Sequence, residues 1–340
     1  MEPLRINGAH GEGGGQIVRT SIALSCITKR PIIIENIRKN RRVPGLKAQH
    51  ITTIKILQRI CGAEVRGAVL DSPELRFIPR DMRGGMIEED VGTAGSTCLI
   101  LQAVIPALIL SGEKCELRIT GGTDVPWSPT SDYMKYVVRE AFGRMGLGFS
   151  LEIGKRGYYP RGGGSIILNT RPQKIVPVRL VEKKTGLVKI RCTYSKIPKG
   201  VINAEVKKIT DELKEHHAVE SHVKEEDACN SGAAVLVHAS DTNSVLGTDG
   251  LFDKKTGRFR TELGRVVGNR LGVDENLADM LVLPASMASG ISVFCVPRIT
   301  KHLETNLFVA SKISGCRYGI GKINGGFEVR IEGRSDAGIQ

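Results

Sequence analysis

The stretch Gly15-Gln-Ile-Val-Arg-Thr-Ser-Ile-Ala-Leu-Ser-Cys-Ile-Thr-Lys-Arg-Pro-Ile-Ile-Ile-Glu35 reads as a helix, a turn and a strand. Apolar residues recur at helical spacing through Gln16–Ile27, Lys29-Arg30-Pro31 stops the run, and Ile32–Glu35 opens a β-branched segment. A basic loop with Val43-Pro44 comes next, then a second amphipathic run, Ala48–Cys61, and strand-like stretches at Glu64–Val69 and Glu74–Ile78. With Leu4–Asn7 in front, the order is β-α-β-α-β-β.

The same order recurs. Met86–Val91 is strand-like, Ser96–Leu110 helical, Cys115–Thr120 a strand and Asp132–Met145 helical, with closing strands at Gly148–Ile153 and Ser165–Asn169. A third copy has helix Leu277–Met287, strand Ile291–Val296, helix His302–Ser311 and a hairpin from Cys316 to Glu332. Its first strand is Ile175–Val181, far upstream of its first helix. A structureless loop of that length is unusual in a compact fold, so the intervening residues predict a folded insert. Within it, strand Leu187–Thr193, helix Ile202–His216, strand Ala233–Ala239 and a helix including Glu262–Leu271 are expected. The resulting reading is an α/β (α+β) chain with a large repeat domain, 1–182 and 276–340, and a smaller α/β insert, 183–275. The units are 1–82, 83–174, and 175–182 plus 276–340.

Composition bounds the function. With 340 residues, 41% hydrophobic and 25% charged, the chain is an ordinary globular sequence rather than a disordered one. Apolar runs such as Leu99–Leu110 are too short to span a bilayer and no leader pattern is visible, so no membrane partner and a cytoplasmic location are expected. Eight cysteines lie without a C-x-x-C pair, which predicts reduced thiols rather than a zinc or disulfide framework. A net charge of +13 and a pI near 9.4 suit a polyanion such as nucleic acid. The basic loop concentrates that charge in Arg38, Lys39, Arg41, Arg42 and Lys47.

Equivalent loops of repeated units cluster in space, so motifs far apart in sequence are expected to converge. His10-Gly-Glu-Gly-Gly-Gly-Gln-Ile-Val-Arg19 sets glycines before a helix N-terminus, where close backbone N–H groups and the helix dipole favour an anion. Glu12 there is a candidate metal ligand, and Arg19 can reach a phosphate from the first turns of the helix. A Gly-rich strand-to-helix turn is the alternative. His302 opens the second helix of the third unit, where an imidazole of ordinary pKa is neutral and nucleophilic. His50 and His10 are rivals, and a helix-capping role is the alternative. Tyr158-Tyr-Pro-Arg161-Gly-Gly-Gly164 is either a tight hairpin connection or a place where Arg161 meets phosphate and tyrosines stack on a base.

With these motifs assembled, the sequence resembles the RNA 3′-terminal phosphate cyclase family, of archaeal and bacterial type. H-G-E-G-G-G-Q-I-V-R, N-I-R-K-N-R-R-V-P-G-L-K-A-Q-H, G-T-A-G-S, G-G-T-D-V-P, G-Y-Y-P-R-G-G-G, L-A-D-M-L-V-L-P and H-L-E-T-N occur in the family's order across essentially the whole chain. The resemblance implies three units like the C-terminal domain of translation initiation factor 3, interrupted by a smaller α/β insert. It implies ATP-dependent conversion of an RNA 3′-phosphate to a 2′,3′-cyclic phosphate, with His302 adenylylated on the way, AMP passed to the RNA, and AMP and pyrophosphate released. It assigns ATP contacts to Arg19, Gln49, Gln102, Pro129 and the strip Asn276, Leu277, Ala278, Asp279 and Met280. Phosphate or RNA contacts fall to Arg38, Arg41 and Arg161, and a Mg2+ or Mn2+ ion to Glu12. Asp279 would orient His302 or the sugar. Where some relatives carry an aromatic ring against adenine, this chain has Asn276, which leaves Pro129 and Trp127 to cover the base. The partners implied are ATP and RNA bearing a 3′-terminal phosphate, with a homo-oligomer possible. A non-catalytic, cyclase-like ribosome-assembly factor is the other reading, and the presence of His302 tells against it.

Overall fold

The computed structural model describes residues 2–184 and 186–334. The first sheet uses β1 (Leu4–Asn7), β2 (Ile32–Glu35), β3 (Glu64–Arg66) and β4 (Leu75–Ile78) in the order β1-β2-β4-β3, with helices α1 (Gly15–Thr28) and α2 (Ala48–Cys61) between its strands. β1 and β2 are parallel, and the other pairs are antiparallel. The second sheet repeats that order as β5-β6-β8-β7, from β5 (Gly85–Asp90), β6 (Cys115–Gly121), β7 (Phe149–Lys155) and β8 (Gly164–Thr170). Its helices are α3 (Thr97–Ile109) and a broken one. The latter runs as α4 (Ser131–Tyr133), a π turn at Met134–Val138, and α5 (Arg139–Arg144).

β9 (Arg179–Leu180) is followed by a five-stranded sheet, order β11-β10-β12-β13-β14, made of β10 (Leu187–Ser195), β11 (Ala218–Glu225), β12 (Gly232–Asp241), β13 (Ser244–Asp253) and β14 (Arg258–Phe259). Helix α6 (Lys199–Lys214) lies against β10 and β11, and this layer has its own apolar cluster around Val188, Ile190, Ile202, Val235 and Val237. The chain then returns through α7 (Glu275–Met287), β15 (Ile291–Val296), α8 (Lys301–Ser314), β16 (Arg317–Ile323) and β17 (Gly326–Glu332). The last sheet has the order β9-β15-β17-β16, the same arrangement again, with β9 and β15 parallel.

Two expectations are corrected here. The strand at Ile175–Val181 shrinks to Arg179–Leu180, because Pro177 has no N–H to give a ladder. The helix including Glu262–Leu271 is only a 3-10 turn at Leu263–Arg265. Gly264 and Gly268 weaken helix formation there, and the Asn269 side-chain carbonyl takes the Leu271 N–H in a local turn instead.

The helices gather between the sheets: α1 touches α2, α3 and α8, while α7 packs on α8 and α3. Burying α1 on nearly every side requires apolar residues all round, and only Gly15 and Thr28 of the helix escape full burial. One apolar core runs through all three four-stranded sheets. All eight cysteines are free thiols, and every one except Cys229 is buried. Among the described residues, no helix is long and apolar enough to cross a membrane.

Candidate active site

The N-termini of α1 and α8 face each other, and the side chains of the two signature motifs lock them together. Thr305 accepts the Glu12 backbone N–H and donates to the Lys301 carbonyl, which fixes the glycine loop to the first turn of α8. Gly11, at φ +58°, lies so close that a Cβ would come within 2.3 Å of the Thr305 hydroxyl. Asn306 accepts from Thr20 and donates to the Asp279 carbonyl, which joins α1, α8 and α7. The T-N pair of H-L-E-T-N is therefore structural glue one turn behind the histidine.

A cleft of about 740 Å3 opens between these helix ends. Its walls hold Glu12, Arg19, Arg38, Arg41, Gln49, Gln102, Pro129, Asn276, Asp279, Met280 and His302, drawn from all three repeated segments. Leu277 and Ala278 do not reach it: both are fully buried on the core side of α7, because the cleft takes the i, i+3, i+4 face of Asn276, Asp279 and Met280. Arg161 lies outside as well. It is exposed on the loop whose Gly162 packs against Thr93 and Ala94.

Three histidines compete for the reactive role. His10 stacks flat on Phe308, with ring centroids 3.9 Å apart, and does not line the cleft. His50 does line it, but its Nδ1 accepts the Lys47 N–H, and burial together with the Arg19 charge holds its pKa well below the usual range. His302 is half-exposed, and its Nδ1 contacts the Gln16 side-chain carbonyl and stands 3.3 Å from Glu12 Oε2. A carboxylate and a carbonyl can only accept, so Nδ1 carries the proton and Nε2 keeps its lone pair. Burial lowers the His302 pKa below 6.5, and the Arg19 and Arg41 charges lower it further, which favours the neutral ring.

Glu12 also pairs with Arg41. Arg38 donates to the carbonyls of Val43 and Gly45, which ties down the basic loop. Arg19 differs from both. It is only 7% exposed, burial pulls its pKa down to about 10, and no carboxylate pairs with it among the described residues. A nearly buried guanidinium without an anion at its side calls for one from a ligand. Asp279 makes no hydrogen bond or ion pair with His302 among the described residues; it accepts from the Thr300 hydroxyl, which itself caps α8 by accepting the Leu303 N–H. Burial raises the Asp279 pKa to about 8.

Several lining residues carried no separable sequence signal. Gln16 hides in the glycine motif, while Asp249 comes from β13 and Glu262 and Arg265 from the segment between β14 and α7. Gln49 is held in place by accepting the Ser96 N–H.

Gly15 provides a local test of this packing. A Cβ there would fall 2.0 Å from His50 Nε2, on a ring that is buried and anchored by Lys47. Gly15→Ala is expected to destabilise the protein by about 1–3 kcal/mol, as overpacking does. Thermal unfolding measures it, and an unchanged midpoint would show that the ring moves freely.

Three sheets of one strand order, with a cleft that brings Arg19, Arg38, Arg41 and His302 together, define a mixed α/β protein with a basic site. The family model for RNA 3′-terminal phosphate cyclase matches residues 10–320. The chain is 35% identical to the RNA 3′-terminal phosphate cyclase of Korarchaeum cryptofilum, over 98% of this chain and 99% of that one. It is 37% identical to that of Methanococcoides burtonii, over 96% and 99% of the two chains. Against the same-named protein of Pyrococcus furiosus the identity is 38%, over 91% and 93%. The chain belongs to the RNA 3′-terminal phosphate cyclase family.

Proposed function

We propose that this protein uses ATP to convert an RNA 3′-terminal phosphate into a 2′,3′-cyclic phosphate through a covalent histidine adenylate. The observation that carries the reading is the His302 ring, with Nδ1 turned to acceptors and Nε2 left with its lone pair, in a cleft that also holds Arg19, which has no carboxylate partner among the described residues. Nε2 attacks the α-phosphorus of ATP, the bond to the β-phosphate oxygen breaks, and pyrophosphate leaves. An oxygen of the RNA 3′-phosphate then attacks the same phosphorus, and the P–N bond breaks with its electron pair returning to Nε2. Finally the 2′-hydroxyl gives its proton to water and attacks the 3′-phosphorus, and the bond to the AMP oxygen breaks so that AMP leaves. A bare phosphate oxygen leaves poorly and AMP leaves well, so division into steps lowers each barrier.

Arg19, Arg38 and Arg41 hold phosphates of ATP or of the RNA end by forked contacts. Gln49, Gln102, Pro129, Asn276, Asp279 and Met280 surround the nucleoside, and Arg161 meets RNA outside the cleft. Among the described residues, no three His, Cys, Asp or Glu side chains form a protein-only metal site. A single carboxylate beside a triphosphate nevertheless fits Mg2+ or Mn2+, and Glu12 would hold it. Such an ion supplies charge neutralisation on the phosphates. The three like-ordered sheets are repeat units akin to the C-terminal domain of translation initiation factor 3, and 183–275 is a domain inserted into the third.

The test is conversion of 3′-phosphorylated RNA to a phosphatase-resistant form with release of AMP and pyrophosphate. RNA that stays phosphatase-sensitive with ATP and metal present would refute the reading. A pH profile probes the nucleophile separately. Only the neutral ring attacks, and the His302 pKa lies below 6.5. Self-labelling is therefore expected to be more than half-maximal at pH 6.5 and to reach its half-maximal point only below it. A half-maximal point above 6.5 would contradict the arrangement of charges around the ring.

A further inference from the structure

We infer that Trp127 is the platform on which the 3′-terminal base of the RNA stacks, an inference that rests on the function proposed above. Trp127 lines the cleft that holds His302, yet it is 97% exposed. It is also in left-handed backbone, φ +67°, a region that bulky residues avoid. Both features cost free energy, and the surroundings enforce them. Ser128 donates its hydroxyl to the Val125 carbonyl across the turn. On one side of the tip, Asp124 is fixed by the Thr123 hydroxyl and by Ser131; on the other, the Thr130 N–H donates to Asp249. Strain held this firmly at the lip of a cleft is a mark of function.

Exposure decides between the two bases available. Met280 is almost fully buried, and Gln102, Pro129 and Asn276 are partly covered, so a nucleoside held inside the cleft meets those groups. A ring standing wholly in solvent meets a ligand that runs out of the cleft, which an RNA chain does and ATP does not. Exposed Lys39 and Arg42 have no ion-pair partner among the described residues, and they share the loop of Arg38 and Arg41. They supply the backbone attraction that accompanies base stacking on single strands.

Trp127 is the chain's one tryptophan, so its fluorescence reports this position alone. Titration without ATP, using an oligoribonucleotide ending in a 3′-phosphate, is expected to quench the emission. The same oligonucleotide with an abasic 3′-terminal residue leaves the emission unchanged. In turnover, Trp127→Ala raises the KM for RNA about tenfold, Trp127→Phe recovers most of that loss, and the KM for ATP stays within about twofold. Quenching by ATP but not by RNA would assign the ring to adenine and overturn the inference, as would an equal response to the abasic oligonucleotide. Because quenching is read without ATP, a protein that stacks RNA but never self-labels fails the proposed function and keeps this platform.

Discussion

His302→Ala is expected to abolish transfer of label from α-labelled ATP to the chain and to slow RNA cyclisation by roughly 10^3 or more, the scale on which loss of a covalent nucleophile is felt. The fold should tolerate the change. The ring is half-exposed in the first turn of α8, and the cap of that helix comes from Thr300, which the substitution leaves in place. Stability should therefore move by no more than about 0.5 kcal/mol, as for an ordinary surface change. The label in the wild type should be acid-labile, as a phosphorus–nitrogen bond is, and it should appear without RNA. Undiminished labelling of His302→Ala would remove His302 from the mechanism and point to His50, the other imidazole in the cleft. No labelling of the wild type would favour a family member that binds RNA without the chemistry.

Arg156→Met carries the second large effect, on stability. The Arg156 side chain is almost wholly buried and meets three carboxylates: Asp124 at 3.2 Å, Asp132 at 2.9 Å and Glu226 at 2.6 Å. It also donates to the Ser131 hydroxyl. Removal of the guanidinium strands Asp124 and Asp132 without a cation in the interior, and breaking a buried pair in this way costs about 3–5 kcal/mol. Burial already raises the pKa of Asp132 against the pull of Arg156. Without the arginine that carboxyl protonates more readily still, so the deficit relative to wild type should narrow as the pH falls. Denaturant unfolding at several pH values measures both. A loss below about 1 kcal/mol, the level of an exposed pair, would mean that the cluster is relaxed by water. Because Asp124 and Ser131 bracket the loop bearing Trp127 and Pro129, the variant should also bind substrate less well than its remaining stability would suggest.

Much of this was legible in the sequence, for a physical reason. Helix periods and β-branched runs mark elements through local backbone preference, so the β-α-β-α-β-β order emerged without any knowledge of contacts. Residues selected from motifs in all three segments, from Glu12 and Arg19 to Asp279 and His302, line one cleft because corresponding helix starts and loops meet there. What stayed hidden was tertiary. Arg156 sits in a strand-and-turn pattern where a charged side chain is ordinarily solvated, and nothing nearby marks the three acids it will meet. Pro177, Gly264 and Gly268 interrupt Ile175–Val181 and Glu262–Leu271, whose apolar neighbours nevertheless keep the spacing of regular elements. Leu277 and Ala278 belonged to a matching motif, yet helix geometry turns them away from the cleft while Asn276, Asp279 and Met280 face it.

The two-residue strand β9 has a consequence for how the molecule comes into being. The first two sheets are contiguous blocks, 4–78 and 85–170, that can close as soon as they leave the ribosome. The third must hold Arg179 and Leu180 in waiting until Val293 and Phe294 have been synthesised. Pairings over such a separation form late, because the intervening chain must first be brought to order. His302 lies just beyond that junction, on the helix that seals against Glu12 and Thr20 from the opposite end of the polypeptide. A nascent chain therefore brings His302 to the cleft only when its last sheet assembles, and half-made molecules lack that wall of the site.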